Sequence, residues 1–177
     1  MKTLIENKNR GALAEKIHGK VNRYSLFDPQ LRIFKHTHLP RRLEMCAEIN
    51  GVKYINDAAA TGVNATYYSL NKLRGEVIWI VCNDEADAAF EELGPVMVYK
   101  TRHIIACGRS AEVLEKLYGS RIPVSRVHHP EEAVAWASRI AVPGTYVLFS
   151  PAAKSNRYET ERLSNRFTQA IKKLKNK

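Results

Sequence analysis

Asp57 and Thr61 stand where the residue types and spacing of this chain most suggest chemistry. They lie in the stretch 50–71, which opens on Asn50-Gly51, runs through Val52 and Tyr54, and continues past Thr61 into Val63, Tyr67 and Leu70. Asn-Gly supplies the positive φ that both central positions of a type I′ turn require, so it predicts a hairpin. Val52 and Tyr54 suit a pleated strand. Asp57 ends that strand, and Thr61 is the expected N-cap of a helix with Val63, Tyr67 and Leu70 on one face. A strand–loop–helix junction of this kind points backbone N–H groups and the positive end of a helix dipole into the loop. In an open α/β sheet, ligands usually sit there.

Other candidates carry less. His36-Thr37-His38 and His128-His129 have no cysteine or carboxylate at ligand spacing, so they read as surface histidines and no metal site is expected. Ser110, Ser150 and Ser155 lack the G-x-S-x-G context of a nucleophile elbow. Glu91-Glu92 and Glu131-Glu132 start or line helices, the ordinary place for acids. Trp79 and Trp136 read as core residues. The only Gly-Lys pair, Gly19-Lys20, precedes Val21, and the position five before Gly19 is Ala14. The chain therefore holds no G-x-x-x-x-G-K-[ST] phosphate loop, and no cofactor is expected to bind it alone.

The elements that must position the junction follow from periodicity. Leu43–Ile49 and Val52–Ile55 form the hairpin, and a helix covers 62–73. Glu76–Val81 is a nearly continuous apolar run, the mark of a strand covered on both faces. A helix over 86–93 and a strand His103–Cys107 come next. Ser110 caps a helix to Tyr118, and Val124–Val127 is a strand. Pro130 opens a helix through Ile140, Tyr146–Phe149 is the last strand, and a helix over 158–174 closes the chain. Strands alternating with helices argue βαβ units with right-handed crossovers. The expected fold is α/β and Rossmann-like: about six strands, mostly parallel, helices on both faces, and an N-terminal β-hairpin. Residues 1–38 read as a basic leader and connector, and 39–177 as the folded domain.

A chain of 177 residues with 45% hydrophobic and 26% charged content suits one ordinary soluble domain. No run reaches a membrane span, and the amino terminus has no signal-peptide core. Cys46, Cys82 and Cys107 all fall in apolar text, which predicts reduced thiols and a cytoplasmic home. The net charge of +10 comes from 28 Lys and Arg against 18 acids. Ten of those cations and three acids fall within residues 1–42, and another basic cluster ends the chain at Lys172–Lys177. No aromatic interleaving accompanies the charge, so a solvated leader and helix end are favoured over nucleic acid, and no membrane partner is expected. Leu4, Ile5, Leu13 and Ile17 of the leader suggest self-association instead.

Arg41-Arg42-Leu43-Glu44, the hairpin, and Asn56-Asp57-Ala58-Ala59-Ala60-Thr61-Gly62 together resemble the C-terminal domain of Mur ligases, closest to the D-glutamate-adding members. Those enzymes read H-R-[LMF]-E, a hairpin, then N-D-S-K-A-T-N. Ile17–Asn22 resembles the Gly-x-His-Asn segment that closes their central ATP-binding domain, with Val21 in place of the histidine. The interval between it and Arg42 is shortened. The resemblance covers roughly residues 39–170.

The resemblance implies a domain that holds incoming D-glutamate while magnesium-ATP, bound elsewhere, activates a carboxylate as acyl phosphate. It implies substrate-binding roles for Arg42, Asp57, Thr61 and Ser155. Arg42 would grip a carboxylate bidentately, and Ser155 would touch the amino acid. The family's loop lysine is Ala59 here, its neighbouring serine is Ala58, and its final asparagine is Gly62. In the loop after Val81 a second family lysine is Ala86. Ser150-Pro151-Ala152-Ala153-Lys154-Ser155 stands for the family's S-P-A-C-A-S, and the aromatic residue and Arg-Gly pair that follow it are missing. The replacements collect in loops at the carboxyl ends of strands, the ligand positions, while the framework is kept.

Two readings result. One is a D-glutamate-binding domain, a fragment or degenerate remnant of a UDP-N-acetylmuramoylalanine:D-glutamate ligase of peptidoglycan synthesis, with no catalytic residue and inactive alone. Met1 and the eroded loops favour a remnant. The other is a non-catalytic Mur-ligase-like binding or assembly module whose basic ends contact a partner.

Overall fold

Asn50 and Gly51 take φ of 51° and 76° and close the hairpin between β1 (Glu44–Ile49) and β2 (Val52–Asn56). The turn is the one Asn-Gly demands. A computed structural model of the protein describes residues 40–84, 88–153 and 157–176. The leader expected over 1–38, and Ala86 and Ser155, lie outside the described residues.

After the hairpin come α1 (Val63–Lys72), β3 (Val77–Cys82), a 3₁₀ turn (Phe90–Leu93), α2 (Gly94–Lys100) and β4 (Thr101–Cys107). α3 (Ser110–Tyr118), β5 (Val124–Val127), α4 (Pro130–Ile140), β6 (Tyr146–Phe149) and α5 (Arg157–Lys175) complete the chain. One sheet holds all six strands in the order β1-β2-β6-β3-β4-β5. β1 runs antiparallel to β2, and the other five are mutually parallel. The α/β fold with its N-terminal hairpin is the one the alternating pattern predicts. Among the described residues no helix is long and apolar enough to cross a membrane.

Every residue of β3 is buried, which is why its sequence is unbroken apolar text. Alternate residues feed opposite faces. Trp79 and Val81 pack with Leu70, Phe90, Met97 and Leu114 on one side. Ile78 and Ile80 pack with Ala133, Ala137, Phe149 and Phe167 on the other. Each such large side chain contributes about 1.5–3 kcal/mol when fully buried. The sheet is thereby a rigid floor whose carboxyl edge can hold loops in place.

Several local expectations are corrected. The N-cap of α1 is Gly62, not Thr61, and it makes no side-chain cap bond. Its carbonyl instead accepts from Ala65 N and Thr66 N. Ser110 is the first residue of α3, behind Arg109 as N-cap, and its hydroxyl turns back to the Cys107 carbonyl at 3.4 Å. The helix expected over 86–93 becomes the 3₁₀ turn followed by α2, with proline in the first turn of α2. Gly94-Pro95 was the available signal, since proline favours a first helical turn. β4 begins two residues earlier than expected. Cys82 and Cys107 are register partners on β3 and β4, with Cα atoms 4.5 Å apart and their side chains adjacent. Cys46 is free. Trp79 is in the core, but Trp136 is exposed.

Candidate functional site

β2 delivers Asp57 to the carboxyl edge of the sheet, where its N–H donates to the Phe149 carbonyl of β6 at 2.8 Å. The side chain is fully buried. A buried carboxylate is costly unless its oxygens are satisfied, and here each has two donors. Oδ1 accepts from Arg42 Nη1 at 2.5 Å and from Leu43 N at 3.0 Å. Oδ2 accepts from Ser69 Oγ at 2.6 Å and from Ser150 Oγ at 3.2 Å. Burial pushes the Asp57 carboxyl above its ordinary range, and Arg42, Ser69 and the Leu43 N–H pull it partly back.

Arg42 is correspondingly occupied. Besides Asp57, its Nη1 donates to Ser69 Oγ at 2.8 Å and its Nη2 to the Ala65 carbonyl at 3.2 Å. Its guanidinium lies over the Tyr68 ring, 5.5 Å from the centroid. The guanidinium thus ties the chain before β1 to the end of β2 and to α1. Ser150 extends the network, with its hydroxyl 2.7 Å from Thr66 Oγ1 and its carbonyl accepting from Trp79 Nε1 at 2.8 Å. Asn56, one residue before Asp57, donates to Ser164 of α5 at 2.8 Å and accepts from Ala58 N at 3.2 Å.

Backbone strain collects at the same place. Arg41, Leu43 and Ala152 adopt φ of 63°, 46° and 55°, a region that residues other than glycine rarely occupy. Such conformations persist where surrounding contacts over-determine them, and they cluster at functional sites. The loop after β2 turns Ala58 and Ala60 inward, fully covered, and leaves Ala59 half-buried and Thr61 exposed. Position 59 is the outward-facing one of the three alanines.

Of the four residues singled out from the sequence, Arg42 and Asp57 are brought into direct contact. Thr61 lies four residues on, outside their network, and Ser155 is outside the described residues. Ser69, Ser150 and Thr66 were not anticipated as partners. Thr66 and Ser69 sit three apart on α1, on the same buried face as Val63 and Leu70. Hydroxyls on an otherwise apolar helix face were the signal for them. No group of three or more His, Cys, Asp and Glu able to hold a metal occurs among the described residues. A depression of about 390 Å³ at the ends of β4 and β5 is lined by Gly108, Arg109 and Arg126. It lies apart from Asp57, and Arg126 is already paired with Glu115.

Residues 41–153 match the family described as Mur ligase, glutamate ligase domain. The UDP-N-acetylmuramoylalanine–D-glutamate ligase of Acetivibrio thermocellus is 32% identical over 149 residues, covering 78% of this chain and 32% of that protein. The corresponding ligase of Salinibacter ruber is 36% identical over 118 residues, 66% of this chain and 26% of that protein. The chain thus spans about a third or less of the length of these relatives. Among solved structures, a bifunctional folylpolyglutamate synthase/dihydrofolate synthase from Yersinia pestis superposes with a TM-score of 0.54 at 15% identity. That match covers 79% of this chain and 32% of the synthase, and it speaks to the fold alone.

Proposed function

This chain belongs to the Mur ligase family, residues 41–153 being the glutamate ligase domain, and from that premise we propose that it is a cytoplasmic D-glutamate-site domain unable to ligate by itself. The observation that carries this reading is the internal use of Arg42. Its donors go to Asp57, Ser69 and Ala65, so the cation that would grip a substrate carboxylate serves the fold instead. Alanine stands at positions 59 and 86, where the family carries lysines. A lysine near developing phosphate charge stabilises a transition state by several kcal/mol, and losing two should remove the chemistry outright.

Magnesium-ATP enters the family's reaction through a phosphate loop, and no run of this chain fits one. This chain's residues therefore supply no step that involves the nucleotide. What remains is strained backbone around a satisfied carboxylate. Ala59 and Thr61 lie on the outer side of the loop after β2, and because the N–H groups of Ala58, Ala59 and Ala60 already donate to Asn56, Arg41 and Asp57, only a weak hold on a small carboxylate is left.

Thermal melting tests the reading. A ligand at a hundredfold over its dissociation constant stabilises by about 2.7 kcal/mol, a readily visible shift. Magnesium-ATP at millimolar concentration is expected to leave the transition unmoved. A clear upward shift would mean that the chain holds a nucleotide site of its own.

A further inference from the structure

Cys82 is the last residue of β3 and Cys107 the last of β4. The two strands are parallel and pair these residues directly, with Cα atoms 4.5 Å apart. A disulfide spans Cα separations of roughly 4.4–6.8 Å, so the backbone already stands where an S–S bond requires it. The two side chains also share a side, since both pack on the face of the sheet that holds Ile80, Ile105 and Phe149. Cys46 is placed otherwise: it lies on β1, which β2 and β6 separate from β3.

A single buried cysteine is only a small hydrophobe. Two features set this pair apart from core filler. Registry on one face puts each thiol within reach of the other. The chain also leaves both residues directly into loops at the carboxyl edge, the side where an α/β sheet takes its ligands. Those loops are fastened to one another. Asn83 N donates to the Cys107 carbonyl at 3.2 Å, and Arg109 N to Asp84 Oδ1 at 3.4 Å. Asn83 Nδ2 donates to the carbonyl of Pro151, after β6. Gly108, at φ 85°, has no room for a side chain, because a Cβ there would collide with the Asn83 carbonyl. The loops after β3, β4 and β6 therefore meet beside the two sulfurs.

A structural zinc takes four ligands, and the described residues hold no group of three or more that could bind a metal. Oxidation is the chemistry open to an isolated dithiol. We propose that Cys82 and Cys107 are a reversible redox pair whose disulfide clamps the loops after β3 and β4. With hydrogen peroxide as oxidant, the thiolate of one cysteine attacks an oxygen. The O–O bond breaks, hydroxide leaves and takes up the thiol's proton as water, and a sulfenic acid remains. The second thiolate attacks that sulfur, the S–S bond forms, and hydroxide leaves as water with the second thiol's proton. Two thiols thus lose two electrons and one peroxide becomes two waters. An external dithiol reverses the step by exchange and is itself oxidised to a disulfide. Both residues are buried, so the oxidant reaches them as the loops open and the reaction is slower than at an exposed thiol. In a reducing compartment such a bond is transient and serves sensing. The pair stands independently of any amino-acid binding.

The test reduces the full chain, exposes it to millimolar hydrogen peroxide, removes the peroxide with catalase, and denatures the product in N-ethylmaleimide. The chain has three cysteines. The reduced form should take up three maleimides and the oxidised form one, at Cys46. Mass spectrometry should find the Cys82 and Cys107 peptides joined, and dithiothreitol applied to the folded chain should restore all three thiols. In Cys82→Ala and in Cys107→Ala no joined peptide should form, and the thiol left behind should go on to sulfinic acid. Hydrogen exchange reads the clamp: the amides of Asn83 and of residues 108–110 should exchange several-fold more slowly in the oxidised chain. Either alanine variant should erase that difference, while Cys46→Ala should keep it. Circular dichroism verifies that each variant folds, and the thiol count of the unaltered chain needs no variant. Three maleimides after peroxide would overturn the proposal, as would sulfinic acid on both cysteines or a dimer linked through Cys46 as the main product. A bond that dithiothreitol cannot open in the folded chain would refute its reversibility. Equal exchange in the two redox forms would refute the clamp.

Discussion

Asp57 is a buried carboxylate whose every lone-pair direction is used, and the energetics of that arrangement are lopsided. Removing one partner of a buried ion pair leaves the other uncompensated, at about 3–5 kcal/mol, whereas replacing both by apolar groups can be nearly neutral. Arg42→Met is accordingly expected to destabilise the domain by about 3–5 kcal/mol, as is Asp57→Leu. The double variant should cost less than either single one. Urea unfolding of the three proteins checks this; equal and additive losses would mean that the pair does not act as a unit. Arg42 and Asp57 were legible as residues that belong together, because both fall in text that resembles the family's motifs on either side of the hairpin. That they satisfy one another was not legible. Ser69 and Ser150 decide it, and neither stands out until the helix and β6 are folded against the end of β2.

At the scale of elements, β4 carries a second polar contact, His103 Nε2 at 2.8 Å from Ser125 Oγ on the edge strand β5. Burial lowers the His103 pKa below its ordinary 6.5. The folded state therefore keeps the ring neutral while the unfolded chain protonates it, so stability is present above pH 6.5 and lost as pH falls through the lower folded value. Urea midpoints measured at mildly acidic and neutral pH should show this loss, and His103→Gln should reduce it. An unchanged pH slope in that variant would remove His103 from the balance. The sheet itself was plain in the sequence, since β3 and β6 are short apolar runs bounded by turn residues. Helix starts were less so. Thr61 and Ser110 are good capping residues by type, yet backbone geometry gives the caps to Gly62 and Arg109, and capping is settled by the φ and ψ of one residue. Trp136 was misplaced for a different reason. It shares a turn of α4 with Ala133 and Ala137, which are buried while it is not, and a short helix does not reveal which side of its stripe meets the sheet.

At the scale of the whole molecule, the carboxyl edge of the sheet carries a polar network around Asp57 that is satisfied from within. Mur ligase relatives are about three times the length of the matched region or more, and the proposed account assigns this chain the amino-acid end of their chemistry without the phosphate end. Its central claim is that the loop after β2 lacks the cations for a tight grip on a small dicarboxylate. Electrostatic complementarity restored at the outward-facing loop position should recover part of that grip. Isothermal titration calorimetry of D-glutamate into the unaltered chain and into Ala59→Lys with Ala86→Lys tests this most directly. The account predicts millimolar or undetectable binding by the unaltered chain and measurably tighter binding by the double variant. Micromolar affinity in the unaltered chain would contradict it and show a rebuilt site rather than an eroded one.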